Sequence, residues 1–174
     1  MEIFDIYDEN RIKTGKTMIR GYKFAPGAYH MVIHVCIFNS DDKMLIQQRQ
    51  PFKKGWSNLW DLTVGGSAIS GETSAAAAER EVLEEIGYRL NLKNMRPNLT
   101  INHATCFNDI YLLKRDLDIN GLHLQYSEVQ RVKWATKDEI KELIDIGVFI
   151  PYYKSFIDLL FDMRHDRGVR STNE

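Results

Sequence analysis

Residues 64–88 read VGGSAISGETSAAAAEREVLEEIGY, and both the fold and the chemistry of the chain turn on this stretch. Val64 closes a short apolar run, and Gly65-Gly66 then opens a loop in which backbone groups can approach a phosphate or a metal closely. Ala75 to Ala78 are strong helix formers, and Thr73 or Ser74 can cap the first turn. Gly87 stands where a helix C-cap glycine belongs. The pattern therefore predicts a helix from about Ser74 to Ile86. On such a helix Glu81, Glu84 and Glu85 lie at i, i+3 and i+4, which puts three carboxylates on one face. Like charges placed this way repel by roughly a few tenths of a kcal/mol per pair. No lysine lies between Arg80 and Arg89 to relieve them. A solvated acidic face is the ordinary explanation of such a helix, but the glycine lead-in argues for an oxygen-rich site. That chemistry suits Mg²⁺ or Mn²⁺ rather than zinc.

Upstream, His30 to Phe38 is almost wholly apolar and β-branched and reads as a well-buried strand. Asn39-Ser40-Asp41-Asp42 is turn chemistry, and Met44 to Arg49 returns as its hairpin partner. Lys53 to Asn58 reads as a polar loop, and Trp60 to Val64 as a short strand. Met1 to Tyr7 alternates loosely and suits an edge strand, and Pro26-Gly27 marks a turn. Downstream, strands are expected near Leu99–Phe107, Ile110–Lys114 and Val129–Trp134. Amphipathic helices are expected over Lys137–Ile146 and Lys154–Arg164, with a polar, frayed tail after His165. The order predicts an α/β (α+β) domain, a central mixed β-sheet flanked by helices in an α/β/α sandwich, with residues 1–174 forming one domain.

Composition bounds the partners. Hydrophobic residues make up 44% and charged residues 27%, as in an ordinary globular protein. A formal net charge of −1 does not suggest a nucleic-acid binder or a membrane binder. The opening Met1-Glu2-Ile3-Phe4-Asp5 is broken by charge and does not read as a signal sequence, and no apolar run approaches a membrane span. Cys36 and Cys106 read as buried free thiols of a cytoplasmic protein rather than a disulfide. A homodimer is left open.

Gly66, five residues, Glu72, seven residues, then Arg80-Glu81-Val82-Leu83-Glu84-Glu85-Ile86-Gly87-Tyr88 resembles the box that defines Nudix hydrolases, here spanning residues 66–88. Tyr88 stands where a bulky aliphatic is usual, a departure that touches packing alone. The resemblance extends over roughly residues 28–146 through Gln47-Gln48-Arg49, Leu59-Trp60-Asp61, Glu128-Val129 and Trp134. It implies that Glu81, Glu84 and Glu85, with the carbonyl of Gly65, hold Mg²⁺ or Mn²⁺. It implies that Arg80 and Glu72 brace the loop against the helix, with Gly66 and Gly87 as structural positions of the box. The expected reaction is hydrolysis of a small-molecule diphosphate by an activated water, with Glu81 or Glu128 as the base. Glu128 taken alone is also an ordinary exposed strand-end residue. Arg49 and Lys53 are candidates to hold the diphosphate, or else common surface cations.

Two competing functions follow from the same residues. Tyr29-His30, Ile37-Phe38-Asn39, Gln47-Gln48-Arg49, Lys53-Lys54 and Leu59-Trp60 resemble isopentenyl-diphosphate isomerases, which share the Nudix fold. That chemistry needs a cysteine and a metal-binding histidine before the box glutamate, and Gly65 and Ser67 stand at those positions. His30 and His34 share a strand face but are about 13 Å apart at ~3.3 Å per residue, too far to ligate one ion together. The other alternative is a non-catalytic binding module, which the intact box argues against. Trp56, Phe52 and Tyr152 are candidates to stack on a base, although aromatics so placed more often pack.

Overall fold

The computed structural model describes residues 2–165. In chain order it contains β1 (Ile3–Tyr7), β2 (Lys13–Ile19), β3 (His30–Phe38), β4 (Met44–Arg49), β5 (Trp60–Asp61), β6 (Val64–Ser67), α1 (Ser74–Ile86), β7 (Leu99–Asn102), β8 (Cys106–Lys114), β9 (Val129–Ala135), α2 (Lys137–Asp145) and α3 (Lys154–Met163).

β3 is the spine. It runs parallel to β8 from His30↔Cys106 to Phe38↔Lys114, and β7 continues the sheet antiparallel to β8. Successive side chains of a strand point to opposite faces, and β3 uses both. Ile33, Val35 and Ile37 join Ala77, Ala78, Val82 and Ile86 of α1 in one core. Cys36 and Phe38 join Ile140 of α2 and Ile157, Leu160 and Phe161 of α3 in the other. Helices thus cover both faces of a mixed sheet. Full burial of each such aliphatic side chain contributes about 1.5–3 kcal/mol before the entropy of ordering it.

The other edge of β3 is split, and the split makes room for the site. β3 and β4 pair only at Phe38↔Met44 and then diverge. β6 fills in beside β3 over Val32↔Ser67 to Val35↔Val64, while β5 pairs with β4 at Gln47↔Asp61 and Gln48↔Trp60. The chain crosses between them at Leu62-Thr63. The Thr63 hydroxyl accepts from Ile37 N–H at 2.9 Å and donates to the Leu45 carbonyl, stitching the two halves where they part. β9 closes the outer edge of β4.

Local signals explain α1. Thr73 caps it, accepting from Ala76 N–H at 3.2 Å. Gly87 ends it in the left-handed region at φ 71°, its N–H reaching the Leu83 carbonyl at 3.0 Å. α2 carries a reciprocal capping box between Thr136 and Glu139.

Four expectations need correction. The expected strand Trp60–Val64 is two strands, β5 and β6, on different partners. The strand expected over Leu99–Phe107 stops at Asn102, where His103 N–H bonds the Cys106 carbonyl in a turn, and β8 starts earlier, at Cys106. β2 was not expected. It is mostly exposed and pairs with β1 alone in a two-stranded sheet, so it has no buried face to pattern its sequence. The glycines of the expected loop, Gly65 and Gly66, lie inside β6. The polar tail lies outside the described residues. Cys36 and Cys106 are free as expected, but only Cys36 is buried; Cys106, at the start of β8, is half-buried. No described helix is long and apolar enough to cross a membrane.

Candidate active site

The site forms where α1 crosses the β3–β6 pair. Gly66 lies beneath Glu81: a Cβ at position 66 would sit 2.2 Å from the Glu81 carboxyl carbon. Absence of a side chain is therefore what lets this carboxylate lie on the strand. Glu85, one turn on, is 4% exposed and accepts from Gln47 Nε2 on β4 at 3.0 Å. Glu84 points outward, with 47% of its side chain exposed.

Arg80 organises this group. Its guanidinium makes a two-pronged contact with Glu72, Nε to Oε1 at 2.7 Å and Nη2 to Oε2 at 3.0 Å. Nη1 lies 3.0 Å from Glu81 and 3.1 Å from Glu84, and Nη2 donates to the Ser67 carbonyl at 3.1 Å. Glu72 also accepts from Ile69 N–H at 3.0 Å, which closes the loop on itself. The hydrogen bonds to Glu72, chiefly, push the Arg80 pKa further above its ordinary value.

Burial governs the carboxylates. It raises the Glu81 pKa, although Arg80 opposes the rise. It raises Glu85 to about 8, against the hydrogen bond from Gln47 and with the help of the neighbouring negative charges of Glu81, Glu128 and Asp61. The Gln47 Oε1 atom beside Glu85 is buried without a hydrogen-bond partner. Among the described residues no three His, Cys, Asp or Glu side chains already stand close enough to hold an ion between them. Arg80 draws Glu81 and Glu84 to itself, while among the described residues no cation pairs with Glu85. A donor set of hard carboxylate oxygens, one pair of them on a buried Glu85 whose pKa burial raises, fits a divalent cation such as Mg²⁺ or Mn²⁺.

These residues line a cleft of about 520 Å³. Its lining brings Gly65, Gly66, Arg80, Glu81, Glu84 and Glu85 together with Arg49, Lys53 and Glu128. The sequence-predicted residues are thus brought together, with four exceptions of place. Glu72 lies outside the lining, bound to Arg80. Gly87 stands at the far end of α1, where a Cβ would meet His123 at 2.8 Å. Of the aromatic candidates Phe52 lines the cleft and Trp56 does not. Tyr152 is not a stacking surface: its hydroxyl donates to the buried Asp61 at 3.0 Å. Arg49 is held inward by the Gly55 carbonyl at 3.2 Å, and Lys53 is ion-paired with Glu128. His30 stacks between Phe4 and Phe24, and His34 Nδ1 donates to Asn108 Oδ1 at 2.9 Å, so both histidines are engaged in the frame.

Sequence reasoning missed Glu2, Arg20, Lys54 and Gln125, which also line the cleft, and the contact from Gln47 to Glu85. Gln47 had a signal: it is a polar residue directly after the apolar run Met44-Leu45-Ile46, and it proves to be buried. Glu2 and Arg20 had none, because the hairpin that carries them is distant in sequence. A larger depression of about 980 Å³ lies elsewhere, lined by Arg11, Arg96 and Arg164 among others. Arg11 there is paired with Asp109 and Arg164 with Asp42, and the glutamate cluster does not reach it.

The site thus stands on a sheet split over a glycine pair and crossed by a glutamate-bearing helix, and a family model for the NUDIX domain matches residues 28–153. The chain belongs to the Nudix hydrolase family, and is an enzyme of the pyrophosphohydrolase type. It is 46% identical over 165 residues to an uncharacterized Nudix hydrolase of Listeria innocua, covering 95% of this chain and 96% of that protein. It is 37% identical over 90 residues to an isopentenyl-diphosphate Δ-isomerase of Pectobacterium atrosepticum, covering 52% of this chain and 50% of that one. A crystal structure of a Deinococcus radiodurans protein shares the fold at a TM-score of 0.72, with 22% identity and coverage of 91% of this chain and 97% of that one.

Proposed function

We propose that this enzyme hydrolyses a phosphoanhydride bond in a small organic diphosphate with Mg²⁺ or Mn²⁺ bound at α1. One observation carries the proposal: Glu81, Glu84 and Glu85 line the same cleft as Arg49 and Lys53. Nudix hydrolases generally use divalent metals. Here Glu81, Glu84 and Glu85, with the Gly65 carbonyl, would hold them. When bound, such ions polarise the phosphoryl oxygens and lower the pKa of a water.

The chain's own residues do the rest. Arg49 and Lys53 line the same cleft as the glutamates and bind the diphosphate oxygens, the arginine as a fork and the lysine as a point charge. Arg80 keeps Glu81 in place through Nη1 while Glu72 fixes its guanidinium. Glu81 accepts the proton from the attacking water. Its raised pKa makes it a stronger base than an exposed carboxylate. Glu128 is less suited to that task because Lys53 sits on it. Its carboxylate holds Lys53 at the cleft instead. The free thiols at Cys36 and Cys106 fit a reducing, cytoplasmic setting.

Isomerase chemistry is disfavoured on this reading. Gly65 and Ser67 offer neither thiol nor imidazole, and a Cβ at position 65 would already stand 2.9 Å from the His34 ring. The experiment is to incubate pure protein with ADP-ribose, UDP-glucose and isopentenyl diphosphate, each with Mg²⁺ or Mn²⁺, and to follow phosphate-ester products and dimethylallyl diphosphate separately. Hydrolysis that disappears in Glu84→Gln and Glu85→Gln supports the proposal. Dimethylallyl diphosphate formed at an enzymatic rate, or hydrolysis unchanged in both variants, overturns it.

A further inference from the structure

We propose that the β1–β2 hairpin is a working part of the active site and that Asp5 is the positioning residue through which it acts. The family match begins at residue 28, so the hairpin lies wholly outside it. It is nevertheless fastened to the core. Phe4, Ile6 and Tyr7 are buried, and Tyr7 exchanges backbone hydrogen bonds with Tyr29 at 2.8 and 3.0 Å.

From that seat it grips the loop between β6 and α1. Asp5 Oδ1 accepts from the Ser70 hydroxyl at 2.6 Å, and Oδ2 accepts from Gly71 N–H at 3.0 Å. Ser70 N–H donates to the Ile3 carbonyl at 2.7 Å. Lys13 pairs with Asp5 at 2.6 Å and reaches the Glu72 carbonyl at 3.3 Å. Three donors on one carboxylate, one of them charged, form a strong and directional anchor.

The grip falls one residue from Glu72. Contacts run without a gap from Asp5 to Gly71, from Glu72 to Arg80, and from Arg80 to Glu81 and Glu84. Glu72 holds the loop from inside through Ile69, and Asp5 holds it from outside. Removing the outer hold lets Glu72 drift and carries the Arg80 fork with it. A displacement near 1 Å at a reacting group costs on the order of 10²-fold in rate, so a partial loosening is expected to cost about tenfold. The hairpin also brings the Glu2–Arg20 ion pair, 2.6 Å apart, to the wall of the cleft.

The proposal rests on the hydrolase reading for its kinetic arm and stands apart from it in its structural arm. The variants are Asp5→Ala, Asp5→Asn, Ser70→Ala and Thr14→Ala. The last removes a bond internal to the hairpin, Thr14 Oγ1 to the Ile6 carbonyl at 2.9 Å, and touches neither loop nor cleft. Melting temperature and circular dichroism report folding, amide hydrogen exchange reports the loop, and kcat and KM are measured on the fastest of the three diphosphates above. In Asp5→Ala the Gly71 and Glu72 amides exchange about tenfold faster or more, kcat falls about tenfold and KM stays within about twofold. Asp5→Asn keeps an acceptor for Gly71 and recovers most of the loss. Thr14→Ala lowers the melting temperature but not kcat. If Asp5→Ala does not fold, Ser70→Ala and Asp5→Asn carry the same comparison. Loop exchange unchanged in a folded Asp5 variant overturns the proposal, as does an equal kcat loss in Thr14→Ala. Should the wild type hydrolyse none of the three substrates, the function proposed above fails and the exchange measurement alone decides this one.

Discussion

Glu81 occupies the space that a side chain at Gly66 would need: the nearest approach of a Cβ there is 2.2 Å to the carboxyl carbon and 2.7 Å to Cγ. The obstructing atoms are the far end of a flexible side chain, so Gly66→Ala is relieved by swinging Glu81 away rather than by moving backbone. Stability is expected to change by less than about 1 kcal/mol, whereas kcat falls on the order of 10²-fold as the carboxylate leaves its place. Gly65→Ala is the contrasting case. Its Cβ would meet the His34 ring at 2.9 Å, and that ring is tied to Asn108. Overpacking there costs about 1–3 kcal/mol of stability. Chemical denaturation and steady-state kinetics on the two variants separate the effects. A Gly66→Ala enzyme of full activity would remove Glu81 from the site.

Glu85 gives the metal-free protein a pH dependence of defined sign. Its folded pKa, about 8, lies above the 4.5 of an ordinary unfolded carboxyl. Between those values the folded state holds a proton that the unfolded state releases, so stability falls as pH rises from about 4.5 to 8. In its neutral form Glu85 also carries an O–H beside the unpartnered Gln47 Oε1. The melting temperature in a chelator is expected to drop across this window. Glu85→Gln, which mimics the neutral acid, flattens that dependence, and Mg²⁺ at the site raises the wild-type melting temperature most near pH 8. A melting temperature that rises with pH through this range, or one equally steep in Glu85→Gln, contradicts the account.

The Glu81 and Glu128 carboxylates both line the cleft, one paired with Arg80 and the other with Lys53. With Glu81 as the base, Glu81→Gln lowers kcat by about 10²–10⁴-fold. Glu128→Gln releases Lys53 and raises KM, with kcat reduced less than about tenfold. The reverse order of kcat losses assigns the base to Glu128.

The reach of the sequence follows from the range of the interactions. The box is legible because its partners lie within one helix turn or one loop: Glu81, Glu84 and Glu85 by their spacing, Thr73 and Gly87 by cap chemistry, Arg80 beside Glu72 by the motif it resembles. β3 and β4 are legible because apolar runs and a turn at Asn39–Asp42 are local signals. The split sheet is not. Whether Trp60–Val64 is one strand or two depends on where β3 and β4 part, which is a tertiary fact. The hold of Asp5 on Ser70 spans 65 residues and has no local signature. The ion pair of Lys53 with Glu128 is likewise invisible in sequence, although both residues were candidates. Tyr152 shows the converse: an aromatic that could have stacked on a ligand is instead the hydroxyl donor to Asp61.

Asp61 is 5% exposed, accepts from Leu62 N–H at 2.7 Å and from Tyr152 at 3.0 Å, and has Arg49 only at 4.0 Å. Tyr152→Phe deletes one donor from a buried carboxylate with little change in volume. A loss of about 1–3 kcal/mol is expected, with kcat unchanged at temperatures where both proteins are folded. Urea denaturation of the pair measures it. A change under roughly 0.5 kcal/mol, the range of inert substitutions, means that Asp61 does not depend on this bond.

Arg80→Lys tests whether the fork, rather than the charge, holds the site together. The guanidinium serves Glu72 through Nε and Nη2, reaches Glu81 and Glu84 through Nη1, and donates to the Ser67 carbonyl through Nη2. A lysine ammonium keeps the positive charge but is a single point on a flexible stem and cannot face all four acceptors. The side chain is only 24% exposed, so water replaces the lost bonds poorly. Expected are a stability loss of about 1–3 kcal/mol and a kcat lower by roughly 10–100-fold. Because Glu72 acts through Arg80, the double variant Arg80→Lys, Glu72→Gln is expected to lose little more than either single one, a coupling of about 1–3 kcal/mol in the cycle. Strict additivity of the two substitutions would mean that Glu72 and Arg80 support the cleft independently, and the relay from loop to helix would have to be abandoned.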